Sequence, residues 1–311
     1  MLALRCHRKG PLSGLSLDSI NEPSPGPGDV LVRVQWASVN PIDWKLATAS
    51  LEAPARGSHP WGVGSDFAGE VIASGCVRKG PGVGDRVFGC LDPMTSRQGT
   101  FAELIAVPAD SAFSLPDDVP PRDAAAMSCA GFSALSMCDL GRVGDRSRVL
   151  INGAAGGVGH LALQLARIRG ASVSAVASTG RRDFLHGLGA DEFIDYSLSP
   201  PRDWPGTFDA ILDCVPNLPD PAMARLLRPD GRYVRSTALD TLETTDDRNG
   251  ICKRGLTLIP TEAAARTLID GYRSDRLRIA IESEYPLAEA ISALERSMMG
   301  RVQGKLLVRI P

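Results

Sequence analysis

No two of the seven cysteines (Cys6, Cys76, Cys90, Cys129, Cys138, Cys214, Cys252) stand in a C-x-x-C spacing, and the four histidines (His7, His59, His160, His186) share no spacing. A disulfide framework or a structural zinc site normally shows as a cluster, so the thiols read as reduced, mostly core residues. No apolar run approaches the ~20 residues that a membrane helix needs. The opening residues, MLALRCHRKGPLSG, put charges where a signal peptide needs its apolar stretch, which predicts a cytoplasmic protein. A net charge of -2 leaves no broad basic field for nucleic acid or an anionic membrane. There are no internal repeats and no low-complexity segments.

What is present is ordinary for a globular chain: 43% hydrophobic and 23% charged residues, in 311 residues that suit two domains. Residues 1 to about 116 carry short β-type runs (DVLVRVQWASV, FAGEVIASG, GDRVFGC, FAELIAVPA) between Gly and Pro turns, the pattern of a compact antiparallel β domain. PDDVPPRDAAAMSCAGFSALSMCDL then turns to helix-forming residues. From 147 onward strands and helices alternate: SRVLING, GHLALQLARIRG, ASVSAVAST, RRDFLHGLGA, DEFIDY, FDAILDCV, the helix PAMARLLRPDG, RYVRST and GLTLIP. Such alternation predicts a parallel sheet with helices on both faces. The polar run LDTLETTDDRNGICKRG reads as a loop. TEAAARTLIDGYRSDRL and PLAEAISALERSMM read as helices before a closing strand KLLVRI.

Between the first strand and first helix of the alternating half stands AAGGVG, with Ala154, Gly156 and Gly159 in the three slots of a G-x-G-x-x-G turn. Such a turn brings backbone close to a pyrophosphate and aims a helix N-terminus at it. Ala155, Gly156, Gly157 and Val158 are therefore candidate cofactor contacts. An acid about 20 residues further on would accept from a ribose 2′-hydroxyl. This chain instead reads Ser178, Thr179, Gly180, Arg181, Arg182, with Asp183 the nearest acid. Hydroxyls and guanidinium groups welcome a 2′-phosphate, and arginines at a helix start oppose its dipole without a functional reason. The expected cofactor is NADPH, with Ser178, Arg181 and Arg182 at its 2′-phosphate.

The order of motifs resembles the zinc-independent quinone oxidoreductases (zeta-crystallin-like) of the medium-chain dehydrogenase/reductase superfamily. The resemblance runs through SVNPIDWKL, GSDFAGEVIASG, GVGDRVFG, GTFAELIAVP, AAGGVG, LGAD, FDAILDCV, RPDGRYV and the closing YPLAEAISALERSMMGRVQGKLLVRI. It implies an α/β protein: a GroES-like, mostly-β catalytic domain over 1–116 and 266–311, and a doubly wound Rossmann domain over 117–265. It also implies a homodimer formed by edge pairing of a strand such as GLTLIP.

The superfamily's zinc alcohol dehydrogenases carry a Cys and a His–Glu pair at the positions matching Asn40 and Ser65–Asp66. Without such ligands, acceptors that delocalise the incoming charge are favoured, namely quinones and α,β-unsaturated carbonyls. The resemblance thus implies hydride transfer to a small conjugated acceptor, with Asn40, Asp43 and Lys45 as catalytic candidates and no metal. Asn40 would hydrogen-bond a substrate oxygen or the nicotinamide ribose, and Asp43 would order the segment. Lys45, where relatives often have Tyr, would donate a proton or stabilise an enolate. Ser133, Tyr196, Val215, Ser236, Thr237 and Lys305 are the further cofactor candidates. By position, His160 at the phosphate site and His59 at the substrate cleft are either ligand contacts or structural or solvated histidines, and Trp36, Trp44 and Trp61 stack on a flat substrate or fill a core. An enoyl reductase of thioester or polyketide-type intermediates, and a non-catalytic NADPH-binding protein, are the alternatives.

Overall fold

The longest β-type run, DVLVRVQWASV, folds as one strand, Asp29–Val39, buried at Val30–Val32, Val34 and Ala37–Val39. The computed structural model describes residues 1–52, 57–75, 80–215, 220–236, 245–246, 252–255 and 260–311. These divide into two units, Met1–Cys129 with Pro260–Ile269 and Ile281–Pro311, and Ala130–Ile259 with Asp270–Ala280.

In the first unit Asp29–Val39 is the spine of a sheet ordered Ile281–Pro286, Lys305–Arg309, Asp29–Val39, Asp66–Ser74, Arg86–Cys90, Ala112–Ser114, with Leu104–Pro108 pairing to the spine as well. Register shifts at Leu31/Val32 and Val34/Trp36 bend the spine against Asp66–Ser74. A smaller sheet holds Leu15–Ser19, Leu2–Cys6 and Trp61–Gly62. Phe67, Val71, Val87, Phe101, Leu294 and Val308 belong to one buried cluster, so the closing strand and the Ala290–Met298 helix complete the core begun by the first residues. Leu306 pairs with Val39, which brings Lys305 beside Asn40.

In the second unit, the sheet runs Glu192–Asp195, Ser172–Ala177, Arg148–Asn152, Phe208–Asp213, Leu227–Arg235, Cys252–Gly255, Thr245–Asp246. All pairs are parallel except the last. Counted from Arg148–Asn152, the parallel strands lie in the order 3-2-1-4-5-6, the doubly wound order whose switch point falls between the first and fourth strands. Residues Val149, Leu150 and Ile151 are fully buried, as a strand covered on both faces requires.

Two local expectations are corrected. The helix expected over PAMARLLRPDG ends at Ala224, and Leu227–Arg235 is a strand. Pro229 has no N–H to continue a helix, and Asp230 sits at φ +64°. The polar run LDTLETTDDRNGICKRG contains the strands Thr245–Asp246 and Cys252–Gly255. Edge pairing uses backbone groups, so it leaves little apolar pattern in the sequence. Of GLTLIP, Gly255 ends a strand and 256–259 lie outside the described residues.

Candidate active site

In the second unit the glycine turn follows Arg148–Asn152 and opens the helix Gly157–Ile168, with Gly156 as its extended N-cap. The tight turn itself falls on Gly153, at φ +73°, one residue before the slot the pattern marks. A Cβ on Gly159 would lie 2.2 Å from Gly153 O, so only glycine lets the helix start seat on the turn. Ala155 is buried, and Gly157 and Val158 are partly exposed at the helix entrance, where the first N–H groups have no helical acceptor. His160 is fully buried and is not a phosphate contact. Its Nδ1–H donates to Gly156 O at 2.9 Å and its Nε2 accepts from Ala280 N–H at 3.3 Å, so it pins the turn.

At the end of Ser172–Ala177, Ser178 caps a short 3-10 turn over Thr179–Arg181. Arg181 is half-buried and Arg182 exposed, the latter 4.5 Å from the centroid of Phe193. Pairing of Ala177 with Asp195 brings an acid to this corner that sequence spacing did not find. The Asp195 carboxylate accepts from Ser197 Oγ at 2.5 Å, Ser197 N at 2.9 Å and Thr179 Oγ1. These bonds hold its pKa below the ordinary aspartate range. Tyr196 beside it is exposed.

At the switch point, Asn152 Nδ2 donates to Asp213 Oδ1 at 2.8 Å and to Val215 O at 2.9 Å. Tyr233 Oη donates to Asp213 Oδ2 at 2.6 Å. Burial raises the Asp213 pKa against these bonds. Ser236 N donates to Asp213 O and its hydroxyl to Cys214 O, so the carboxyl ends of three strands are tied together. Val215 is half-exposed, Ser133 is buried in the Pro121–Leu140 helix, and Thr237 lies outside the described residues. The Asn152–Asp213–Tyr233 set was missed by sequence reasoning. Its one signal is a polar residue closing each of two apolar runs, RVLIN and FDAILD.

The first unit holds a second cluster. Asn40 precedes the helix Pro41–Ala47, whose Asp43 reaches back to accept from Asn40 N at 2.7 Å, half of a capping box. Ser65 Oγ donates to the other Asp43 oxygen at 2.9 Å. Burial pushes the Asp43 carboxyl up to about 7. Asp66 has no exposed surface. Its Oδ1 accepts from Cys129 N at 2.9 Å, and its Oδ2 from Ser38 Oγ, Asn40 Nδ2 at 2.8 Å and Lys305 Nζ at 3.4 Å. Lys305 Nζ also donates to Asn40 Oδ1 at 2.7 Å and Val39 O at 3.1 Å. Lys305 is 2% exposed, and its three ammonium hydrogens are met by these three acceptors. The chain thus brings Lys305 together with Asn40 and Asp43. Lys45 points elsewhere, 5.6 Å from the centroid of Trp44 and half-buried. Trp44 donates to Ser297 Oγ at 3.1 Å; Trp61 is a core residue stacked on His59.

Burial pushes the Cys90 and Cys214 thiols well up, and that of Cys138 up to about 12, which makes all three poor nucleophiles. Among the described residues no group of three or more His, Cys, Asp or Glu side chains is placed to hold a metal.

Two family models match: alcohol dehydrogenase GroES-like domain over residues 26–117 and zinc-binding dehydrogenase over 188–308. The chain is 27% identical to a chloroplast envelope quinone oxidoreductase homolog of Arabidopsis thaliana, over 96% of this chain and 95% of that one. It is 30% identical to a zinc-type alcohol dehydrogenase-like protein of Schizosaccharomyces pombe, over 91% and 88%. A mycocerosic acid synthase-like polyketide synthase of Mycobacterium tuberculosis is 31% identical over the whole of this chain, which spans 15% of that synthase. Among solved structures, the quinone oxidoreductase from Coxiella burnetii superposes with a TM-score of 0.92 at 29% identity, over 100% of this chain and 99% of that one.

Proposed function

The chain belongs to the medium-chain dehydrogenase/reductase superfamily, and from that premise we propose that it is an NADPH-dependent, zinc-independent reductase of quinones or other conjugated carbonyls. The observation that carries the acceptor class is the ammonium of Lys305, bonded to Asn40 and Asp66. Those are the positions at which zinc dehydrogenases of the superfamily keep metal ligands. A cation already belongs to the chain there, and an acceptor that spreads its own charge needs no further Lewis acid.

The nucleotide turn fits the cofactor. Gly159 packs without room for a Cβ, the helix entrance is open, and the sheet has its switch point at the same edge. Ala155, Gly156, Gly157 and Val158 would take the pyrophosphate. Ser178, Arg181, Arg182 and Tyr196 would take the 2′-phosphate, since Asp195 is already bonded to Ser197 and Thr179. Ser133, Val215, Ser236 and Thr237 would meet the nicotinamide half, with Asn152 fixing the carbonyl of Val215. NADPH supplies a hydride from C4 when bound. Asn40 donates to the substrate oxygen or the ribose and Asp43 holds the first turn of the Asn40 helix, while Lys45, turned to Trp44, is set apart from this group. Lys305 reaches this machinery through Asn40.

The match to a polyketide synthase over the whole chain favours a second reading, reduction of an enoyl thioester. One experiment separates the two: loss of nicotinamide absorbance with NADPH or NADH, against phenanthrenequinone and crotonyl-CoA. Turnover of the quinone with NADPH, and poor turnover with NADH, is the expected result. Faster use of crotonyl-CoA transfers the assignment to enoyl reduction, and NADPH binding without turnover leaves a binding protein. The same reading includes a cytoplasmic homodimer joined at the edge of the parallel sheet, to be checked by light scattering on the purified chain.

A further inference from the structure

Among the described residues, the Asn40 side chain is hydrogen-bonded to both Lys305 and Asp66, and the two neighbours have opposite hydrogen-bonding capacity. An ammonium only donates and an ionised carboxylate only accepts. With Oδ1 at 2.7 Å from Lys305 Nζ and Nδ2 at 2.8 Å from Asp66 Oδ2, the amide has one permitted orientation. The reverse would set NH2 against the ammonium and oxygen against the carboxylate. The assignment needs no hydrogen positions, because the charges on either side decide it.

The remaining atoms strengthen the lock. Ser38 Oγ and Cys129 N also donate to the Asp66 carboxylate, and Val39 O takes another of the Lys305 hydrogens. The Asn40 backbone is separately fixed by Asp43. Lys305 and Asp66 are buried, so solvent does not weaken their hold. Nδ2 carries two hydrogens, and among the described residues one acceptor, Asp66, is bonded to it; Oδ1 keeps a second lone pair, but beside the Lys305 ammonium, whose charge repels the positive end of another donor. What Asn40 presents to a ligand is an N–H.

We propose that Lys305 and Asp66 are a positioning pair that fixes the Asn40 amide as a donor, so that the site selects a ligand by an accepting oxygen, a carbonyl being the chemistry that fits. The inference rests on the reading of Asn40 as ligand-facing, and adds to it the polarity of the contact and the residues that set it. Neither Lys305 nor Asp66 touches the ligand. No bond is made or broken by the pair.

The test is a double-variant cycle with a spectroscopic arm. Asn40→Ser, Lys305→Met and their combination are compared for kcat and KM with NADPH and phenanthrenequinone, with circular dichroism and thermal melting as the check on folding. If Lys305 acts through Asn40, each single variant lowers kcat by about 10- to 100-fold, the size of a charge-assisted hydrogen bond in the transition state. The combination is then no worse than Asn40→Ser alone. Lys305→Arg, which keeps a donor-only cation, recovers part of the loss. Additive losses overturn the proposal. Should Lys305→Met not fold, Asp66→Asn, which keeps the shape and removes the orienting charge, takes its place in the same cycle.

The spectroscopic arm follows the side-chain NH2 of Asn40 in proton–nitrogen correlation spectra of isotope-labelled protein, identified by its loss in Asn40→Ser. One of its two protons should be protected from solvent exchange, and the other should shift when phenanthrenequinone is added to the NADP+-bound protein. Two equally exchanging protons refute the lock. A wild-type protein that oxidises no NADPH refutes the reductase reading while leaving the protection pattern to decide the lock, so the two failures are told apart.

Discussion

Two asparagines end up in opposite states. Asn152, in the second unit, gives both hydrogens of its amide to the protein, one to Asp213 and one to Val215 O. Asn40, in the first unit, gives one to Asp66 and has its oxygen held by Lys305. Their carboxylate partners are equally buried, each with no exposed surface. They differ in what compensates them. Asp213 is held mainly by neutral donors, Tyr233 and Asn152, and burial raises its pKa. Asp66 has a lysine ammonium. A network of neutral donors that uses every hydrogen ties strand ends together. A network with a buried cation fixes polarity at an amide that still has a hydrogen to offer. The first holds a backbone edge, and the second suits the ligand contact proposed for Asn40.

The contrast predicts unequal costs on breaking each set. Lys305→Met leaves the Asp66 carboxylate buried without its cation, and loss of one partner of a buried pair costs about 3–5 kcal/mol. Urea unfolding should show this as a large fall in midpoint at unchanged slope. Tyr233→Phe removes a neutral donor at 2.6 Å from Asp213 and should cost about 1–3 kcal/mol in the same assay. Equal losses in the two variants would remove the distinction between the networks.

That distinction shows how far the sequence could be read. The alternation after residue 147 and the glycine turn made the parallel sheet legible, because apolar period and turn chemistry are local. Asn40 and Lys305 were each singled out through the resemblance, Asn40 as a catalytic candidate and Lys305 as a cofactor contact, in separate roles. Their contact was not: it depends on the pairing of Leu306 with Val39, between residues far apart in the chain. Asp195 was invisible for the same reason, since spacing from the glycines marks the end of one strand and Asp195 comes from its neighbour. Gly153 was missed because AAGGVG matched the pattern one residue late, and only the backbone angle shows which glycine makes the turn. The helix over PAMARLLRPDG failed on Pro229 and Gly231, breakers that a helical reading of the MARLL run underweights.

Asp43 offers a finer probe of the first network. Its pKa rises from an ordinary 3.8 to about 7 on folding, with burial the main cause and Asp66 adding to it. The folded state therefore binds the proton more tightly than the unfolded chain. Stability contributed by this group is full below the ordinary value, falls as pH rises between it and about 7, and is level above. The slope is at most about 1.4 kcal/mol per pH unit. Asp43→Asn should flatten that part of the stability–pH curve, measured by urea unfolding at a series of pH values. An unchanged slope would show that the carboxyl stays ionised throughout.

The smallest effect belongs to the exposed corner of the second unit. Arg182 is solvent-exposed and Arg181 half-buried, so each contact with a 2′-phosphate is screened by water and salt. Replacing each with Ala should weaken NADPH binding by no more than about ten-fold, and by less for Arg182, whose guanidinium lies over Phe193. NADH, which lacks the phosphate, should bind the variants as it binds the wild type. Titration of intrinsic fluorescence with each nucleotide, at low and high salt, measures both. If the arginines carry the preference, the gap between NADPH and NADH narrows in the variants and also in wild type as salt rises. A gap that survives both treatments would move the preference to groups that salt cannot reach, with the Ser178 hydroxyl first among them, since Asp195 already occupies Thr179.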